Sequence, residues 1–579
     1  MTLGSHEDSV VLYDARKQKW LLFRRPIEIH VAHSLEAVVS ALCAIERQIT
    51  VDRLYAAGFM AYEAGPAFDP ALAVRPPGDF PLLWFGVYRE AEEVTFPPLP
   101  RENLGAIPWQ PSVTEDEYRY SFQKIKEYIR AGDTYQVNYT FRLMAPFSGD
   151  PWKLFVQMIY AQGYGYGAFV NAGRWTVCSA SPELFLTLEA GKLSSKPMKG
   201  TAARGLLHAE DLQQASWLAN SEKNRAENVM IVDMVRNDMG RIADRGSVHV
   251  PSLFDIEKYP TLWQMTTTVS CKTKAGITDI FGALFPAASI TGAPKVRTMQ
   301  IIAELESTPR KTYTGTVGFF SPGPEAQLNV TIRTVLVDRQ DNTAEYGVGG
   351  GIVWDSENRD ELQECYTKAR ILVQPTPDFA LLETILWTPQ DGCFLLDYHL
   401  ARLADSAAYF SRPVDIEKLR WKLEGLEYGL PSLPHRIRLL VPRENEPTLE
   451  AHPLTPLPQP YRVRVARQPI NSRDPFLYHK TTHRPVYEQA LAEASGYDDV
   501  LLYNENDEVT ESSIANLVAE RDGRLLTPPV HCGLLPGTYR SHLLELGKVE
   551  EEIITVEDLQ RCSRVYLVNS VRGMWEISL

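Results

Sequence analysis

Apolar and polar residues alternate from Leu184 to Leu193, a period of two that predicts a hairpin of two strands. The stretch after it, Lys196-Pro197-Met198-Lys199-Gly200-Thr201, sets a lysine between an apolar and a small neighbour. Lys199 is either a surface lysine or a nucleophile. Desolvation removes charge from an amine, and a neutral amine attacks carbon. Upstream, the pattern predicts short strands at Val10–Tyr13, Trp20–Phe23 and Leu82–Val87 and a helix from Leu35 to Ile49. Prolines 97, 98, 100, 108 and 111 mark a loop. A long amphipathic helix is expected after Thr114, with Glu115 and Glu117 in its first turn, ending near Gly132. Residues 140 to 195 read as strand-rich. Residues 210 to 240 read as helical, with Leu212, Leu218, Val229, Ile231, Val232 and Val235 as the apolar positions. Strands return between Tyr313 and Val353, and a helix runs from about Arg359 to Val373.

Gln374-Pro375-Thr376-Pro377-Asp378 breaks both helix and sheet, because proline restricts itself and its predecessor. It divides a first domain, 1–373 (a lobe 1–110 and motif-bearing residues 110–373), from a second, 379–579. A further proline-rich stretch, Pro453 to Pro460, splits the second into lobes 379–452 and 461–579. A chain of 579 residues is too long for one core, which agrees with several units.

The formal net charge of -14 argues against nucleic acid as a partner. No apolar run approaches the ~18 residues that cross a bilayer, and Met1 to Val10 lacks a signal-peptide core. Seven cysteines are scattered without a CxxC pair, as expected of free thiols in a reducing cytoplasm.

Glu361 and Glu364 lie three apart on one helix face, and Glu227 lies three after Asn224 on another. Two helices that each present such an oxygen pair can hold a hard cation such as Mg2+. On spacing alone, solvated helix faces remain the alternative.

Several segments together resemble the chorismate-binding enzymes, a family that includes anthranilate, isochorismate, salicylate and aminodeoxychorismate synthases. They are Gly132-Asp133-Thr134-Tyr135-Gln136-Val137-Asn138, Ser181-Pro182-Glu183-Leu184-Phe185, Arg225-Ala226-Glu227-Asn228, Arg236-Asn237-Asp238, Ser289-Ile290-Thr291-Gly292-Ala293-Pro294-Lys295, Tyr313-Thr314-Gly315 and Ile332-Arg333-Thr334. Asp355-Ser356 with Glu361 and Glu364 completes the set, in the family's order, over about residues 110 to 373. The resemblance implies an Mg2+ shell of Glu227, Glu361 and Glu364 and a clamp on the enolpyruvyl carboxylate from Tyr313 and Arg333. It also implies substrate contacts from Thr291, Gly292 and Lys295. Gly349, Gly350 and Gly351 either admit the ligand to the backbone or serve turn geometry.

Two positions depart from the family pattern. Asn224 stands where an acid is usual, which removes one negative charge. Gln264 stands where anthranilate synthases carry a histidine, so acid–base chemistry by that residue is lost. Lys199 matches the lysine of the aminodeoxychorismate-forming members. The resemblance implies that it attacks ring carbon C2 and expels the C4 hydroxyl, and that ammonia then enters at C4 and expels the lysine. Glu183 is either the acid for the departing hydroxyl or a structural carboxylate at the Ser-Pro turn. No cysteine sits in a glycine-rich elbow, so a separate glutamine amidotransferase subunit is expected to supply ammonia.

After the linker the chain resembles the fold-type IV pyridoxal phosphate enzymes. The carriers are Leu395 to Leu403, Tyr478-His479-Lys480-Thr481-Thr482, Thr510 to Asn516, Gly533-Leu534-Leu535-Pro536-Gly537 and Asn569-Ser570. The resemblance implies pyridoxal 5'-phosphate bound at Lys480, with Glu511 at the ring nitrogen. The phosphate would be held by Arg402, Gly537, Thr538, Asn569 and Ser570. Lys480 and Glu511 are common to lyases and aminotransferases.

The expected fold is α+β: a domain of large antiparallel sheets with flanking helices, followed by a two-lobed α/β domain, which by resemblance forms a homodimer. The two halves together imply a bifunctional enzyme. It would convert chorismate and ammonia to 4-amino-4-deoxychorismate and then eliminate pyruvate to give 4-aminobenzoate for folate. The alternatives are an anthranilate-type synthase fused to an aminotransferase, or a binding protein without catalysis.

Overall fold

The computed structural model describes residues 7–100, 107–163, 165–323, 325–372, 377–428, 430–443 and 445–579. The expectations for residues 1–6, for 101–106 of the proline-marked loop and for 373–376 at the linker lie outside the described residues. The chain divides into two compact units. The first is Met1–Ala203 with Ala215–Thr376, and the second is Arg204–Gln214 with Pro377–Leu579.

Two ten-stranded sheets build the first unit. Strict alternation places them face to face. Val10 and Leu12 of strand Ser9–Asp14 pack with Phe59 and Trp84 of the other sheet, while Val11 between them points to the opposite side. The outer faces are covered by helices. Tyr118, Phe122 and Ile125 of helix Glu115–Ala131 pack with Phe155 and Cys365 on one sheet. Val38 and Leu42 pack with Ile231 and Ile280 on the other. The order of layers is thus helix, sheet, sheet, helix.

Helix Glu115–Ala131 follows its sequence signals. Thr114 Oγ1 accepts from the Glu117 amide at 3.2 Å, the Glu117 carboxylate accepts from the Thr114 amide at 2.7 Å, and Gly132 closes the helix at φ 79°. Residues 140 to 195 are not all strand, because Pro151–Gln162 is a helix. Asp150 caps it, with Oδ1 accepting from the Trp152 amide at 2.9 Å, and Pro151 occupies its first turn. Its apolar residues are buried nearly all round, so no polar stripe marks the helical period. Of the apolar positions named for residues 210 to 240, Leu212 and Val229 are exposed.

The second unit contains a four-stranded sheet, Leu381–Thr388 and His435–Val441 at its centre, covered by helices Leu396–Tyr409 and Ile416–Glu424. It also contains an eight-stranded sheet of mixed direction, in which Val463–Val465 runs parallel to Asp499–Tyr503. Among the described residues no helix is long and apolar enough to cross a membrane.

Candidate active sites

Lys199 lies on strand Met198–Ala203, at the edge of its sheet. Met198 pairs with Thr266 and Thr201 with Gln264, so three steps on one strand face two on the other. That extra residue is a bulge, and it re-aims a side chain. Gly200 supplies the backbone for it at φ 94°. Gln264 Nε2 donates to the Gly200 carbonyl at 2.7 Å, and Asn228 Nδ2 donates to the Lys199 carbonyl at 3.4 Å. Gln264 therefore holds the bulge in shape, a role that its amide performs and its sequence position did not reveal.

The bulge faces a cavity of about 510 Å³ in the first unit. Lys199, Glu183, Tyr313, Arg333, Gly349, Gly350 and Gly351 line it, together with Glu227, Glu361, Glu364, Asn224 and Gln264. Gly349 is required by close approach, since a Cβ there would lie 2.4 Å from the Tyr139 carbonyl oxygen, whereas at Gly351 it would meet the ends of the Gln136 and Lys199 side chains. Burial lowers the pKa of Lys199, outweighing the opposing charges of Glu183 and Glu227. Burial raises Glu183 to about 7, although Ser289 and Lys199 pull the other way. Glu183 is not a turn cap: its Oε1 accepts from Ser289 Oγ at 2.5 Å, and the Ser181 hydroxyl serves the turn by accepting from the Glu183 amide at 3.2 Å. The buried Arg333 guanidinium donates to Gln162 and has no carboxylate partner among the described residues.

Three expected substrate contacts do not reach the cavity. Lys295 is held by the Asp238 carboxylate at 2.8 Å, an ion pair that keeps its ammonium off the cavity wall. Thr291 donates to the Ala287 and Ala288 carbonyls, and Gly292 is packed against the Gln136 backbone.

The carboxylates share the cavity but are not drawn together. Among the described residues no group of three acidic, histidine or cysteine side chains is close enough to hold a metal ion. Glu364 pairs with Lys368 at 2.8 Å, which holds its pKa down, and Glu361 accepts from Ser356 Oγ at 2.6 Å. Burial, and then the Glu364 charge, raises Glu361, and burial raises Glu227.

Lys368 and Ser289 were missed from sequence. Lys368 lies four after Glu364, a spacing that could have found it. Gln136 also lines the cavity, and both polar atoms of its side chain are buried without a hydrogen bond.

In the second unit a cavity of about 350 Å³ is lined by Lys480, Glu511, Arg402, Gly537, Thr538, Asn569 and Ser570. Burial, with the charges of Arg402 and Arg484, lowers Lys480 to about 7. Glu511 accepts from Tyr487 at 2.6 Å, from the Leu535 amide at 3.2 Å and from Asn516 at 3.0 Å, and burial raises it to about 7. Thr538 opens helix Thr538–Glu545. Two expected phosphate donors are already engaged. Arg402 donates to both oxygens of Glu383, at 2.9 and 2.6 Å, and Asn569 Nδ2 donates to the Ile514 carbonyl at 3.2 Å. Glu383 also takes His399 at 2.6 Å, and neither residue was singled out from sequence.

Residues 7–374 match the chorismate binding enzyme family, and residues 380–579 match amino-transferase class IV. Aminodeoxychorismate synthase component 1 of Escherichia coli (strain K12) is 40% identical over 269 residues, 46% of this chain and 59% of that one. Its namesake in Bacillus subtilis (strain 168) is 38% identical over 258 residues, 44% of this chain and 54% of that one. The matches thus span little more than half the length of these relatives. A putative 2,3-dihydroxybenzoate-specific isochorismate synthase, DhbC, from Bacillus anthracis shares the fold of the first unit. Its TM-score is 0.54 at 22% identity, covering 64% of this chain and 97% of that one. The chain therefore belongs to the chorismate binding enzyme family, with an amino-transferase class IV unit following on the same polypeptide.

Proposed function

We propose that this chain is a bifunctional enzyme that makes 4-amino-4-deoxychorismate from chorismate and ammonia, and then releases pyruvate from it to give 4-aminobenzoate. The observation that carries the reading is the first cavity. It presents a desolvated lysine, a carboxyl that still holds a proton near neutral pH, and a buried arginine without an acid partner among the described residues. The relatives named aminodeoxychorismate synthase support it.

In this reading Arg333 and Tyr313 hold the enolpyruvyl carboxylate. The neutral amine of Lys199 attacks ring carbon C2. Both ring double bonds shift, C1=C2 to C1=C6 and C5=C6 to C4=C5, the C4 hydroxyl leaves, and Glu183 gives it a proton. Ammonia then attacks C4, both double bonds shift back, and Lys199 leaves C2 as the amine. Glu227, Glu361 and Glu364 have the hard oxygen donors that suit Mg2+, though their side chains must turn from Lys368 and Ser356 to hold it. When bound, that ion would neutralise the ring carboxylate. Ammonia comes from a separate glutamine amidotransferase subunit, in keeping with the relatives' designation as component 1.

The second cavity suits pyridoxal 5'-phosphate. Lys480 is buried with a pKa of about 7, so much of it is an uncharged amine able to bond an aldehyde, and Glu511 can face a ring nitrogen. When bound, the cofactor supplies an electron sink for loss of the C4 proton. Lys480 takes that proton, and pyruvate departs as the ring becomes aromatic. Arg402, Gly537, Thr538 and Ser570 would hold the phosphate, with Arg402 kept in place by Glu383. The reading includes a homodimer through this unit and, from the scattered thiols of the sequence, a cytoplasmic setting.

The test is direct. Purified protein with chorismate, ammonium and pyridoxal 5'-phosphate should yield 4-aminobenzoate and pyruvate in equal amounts, and absence of both products would sink the reading.

Glu183 fixes the pH dependence. Its proton is present below about pH 7 and lost above, so the first reaction should fall on the alkaline side. Lys199 must lose its proton, so the rate should rise on the acid side. The two groups interact, so both limbs belong to the pair. Glu183→Gln is expected to lower kcat/KM by about 10²- to 10⁴-fold and to remove the alkaline limb. A retained limb would mean that another group is the acid.

A further inference from the structure

The second cavity contains two arginines that its chemistry at Lys480 leaves unused. Strand His435–Val441 pairs with Leu381–Thr388, and Thr384 lies opposite Arg438 and Leu386 opposite Arg436. Leu382 and Thr384 line the cavity, so alternation puts Arg436 on the same face, and it too lines the cavity. Arg572 lines it from the turn between strands Arg564–Asn569 and Gly573–Glu576. The Asn569 carboxamide anchors that turn, accepting from the Val571 and Arg572 amides at 3.0 and 2.8 Å.

The other arginines nearby have partners. Arg402 is paired with Glu383, and Arg438 with Glu450 at 3.5 Å. Arg484 lies over the Tyr487 ring at 4.2 Å, and its charge acts on Glu511. Arg436 and Arg572 have no carboxylate partner among the described residues. The Arg572 guanidinium donates to the Thr455 carbonyl, and its pKa is lowered by burial and by the charge of Arg436. The two guanidiniums line one cavity, and the charge of Arg436 acts unfavourably on Arg572. An anionic ligand with two carboxylates relieves it, and each fork matches one carboxylate.

We propose that Arg436 and Arg572 anchor the two carboxylates of the substrate and make this cavity select a dicarboxylic ring amine over an ordinary amino acid. This rests on the lyase reading above. The C4 amine goes to Lys480, which leaves the ring carboxylate and the enolpyruvyl carboxylate for the protein to hold. An α-amino acid with an apolar side chain offers one carboxylate and so gains the bond of one arginine only, which disfavours it against a dicarboxylate.

The test uses full-length protein loaded with pyridoxal 5'-phosphate, as wild type, R436M and R572M. Two quantities are read. One is KM for 4-amino-4-deoxychorismate, from pyruvate release. The other is the affinity for chorismate, from the cofactor's visible band, which reports the second cavity alone. Chorismate carries both carboxylates and a hydroxyl in place of the amine. Each substitution is expected to raise KM and weaken chorismate binding by about tenfold or more, as for loss of a charge-assisted bond. Cofactor uptake and the visible band should stay as in wild type.

Unchanged KM and chorismate affinity would overturn the proposal, and so would weakened cofactor uptake, which would assign the arginines to the phosphate. If wild type released no pyruvate, the lyase reading would fail by itself, and the chorismate titration would still decide the role of the two arginines.

Discussion

Lys199→Ala is expected to reduce formation of 4-amino-4-deoxychorismate by about 10³-fold or more, since removal of a nucleophile costs at least as much as loss of a general acid. The same variant should still release pyruvate when supplied with 4-amino-4-deoxychorismate, because Lys480 lines a separate cavity. Mass spectrometry of wild type held with chorismate and no ammonia should find an adduct on Lys199 and none in the variant. The physical basis is the bulge. An unbulged strand would alternate sides at every residue, whereas the extra residue and Gly200 turn Lys199 into the cavity. Two amides, Gln264 and Asn228, hold the carbonyls of that bulge. Burial then lowers the pKa of the amine, which favours its uncharged, reactive form. A variant that kept near wild-type synthesis would make Lys199 a binding residue and would return the attack at C4 to ammonia alone.

Arg310→Met should be the most destabilising single change in the first unit. Arg310 and Glu306 are 1% and 3% exposed and pair at 2.6 Å. The guanidinium also donates to the Asn138 carbonyl at 2.7 Å and the Ile290 carbonyl at 2.9 Å, and Glu306 accepts from the Thr140 amide at 2.9 Å. Removal of one partner strands a buried charge, at a cost of about 3–5 kcal/mol. Arg142, 4.0 Å from Glu306, remains and should keep the loss near the lower end of that range. Asn138 and Ile290 both line the cavity, so KM for chorismate should rise as well. The denaturant midpoint of the first unit, followed separately from the cofactor band of the second, measures the effect. The double variant Arg310→Met, Glu306→Leu removes the stranded carboxylate but takes the acid from buried Arg142, so it should recover little of the loss. An unchanged midpoint in Arg310→Met would mean that the network contributes position without stability.

Much of this site was legible in the chain. Lys199, Glu183, Arg333, Tyr313 and the three helix carboxylates sit in motifs whose residue types announce their chemistry, and all line one cavity. Lys295 was misjudged because a lysine in a motif looks the same whether it meets a ligand or, as here, Asp238. The expected metal shell was implied by the resemblance, and the i, i+3 spacing beside it reports only a shared helix face. It does not report that Lys368 already occupies Glu364. The helix Pro151–Gln162 was hidden because burial on nearly all sides erases the polar stripe that periodicity needs.

The sequence by itself carried the α+β class, the two lysines proposed to do the chemistry, and the order of the two units, apart from Arg204–Gln214, which belongs to the second. These depend on local composition, proline breaks and motif order, all of which are written along the chain. The tertiary structure alone decided which charges meet. It turned Lys199 into the cavity through a bulge, tied Gln264 to that bulge, paired Arg402 with Glu383, and left Arg333, Arg436 and Arg572 without acid partners among the described residues. Whether a charged group is paired, buried or aimed at a ligand depends on residues up to hundreds of positions away, and no local pattern carries that information.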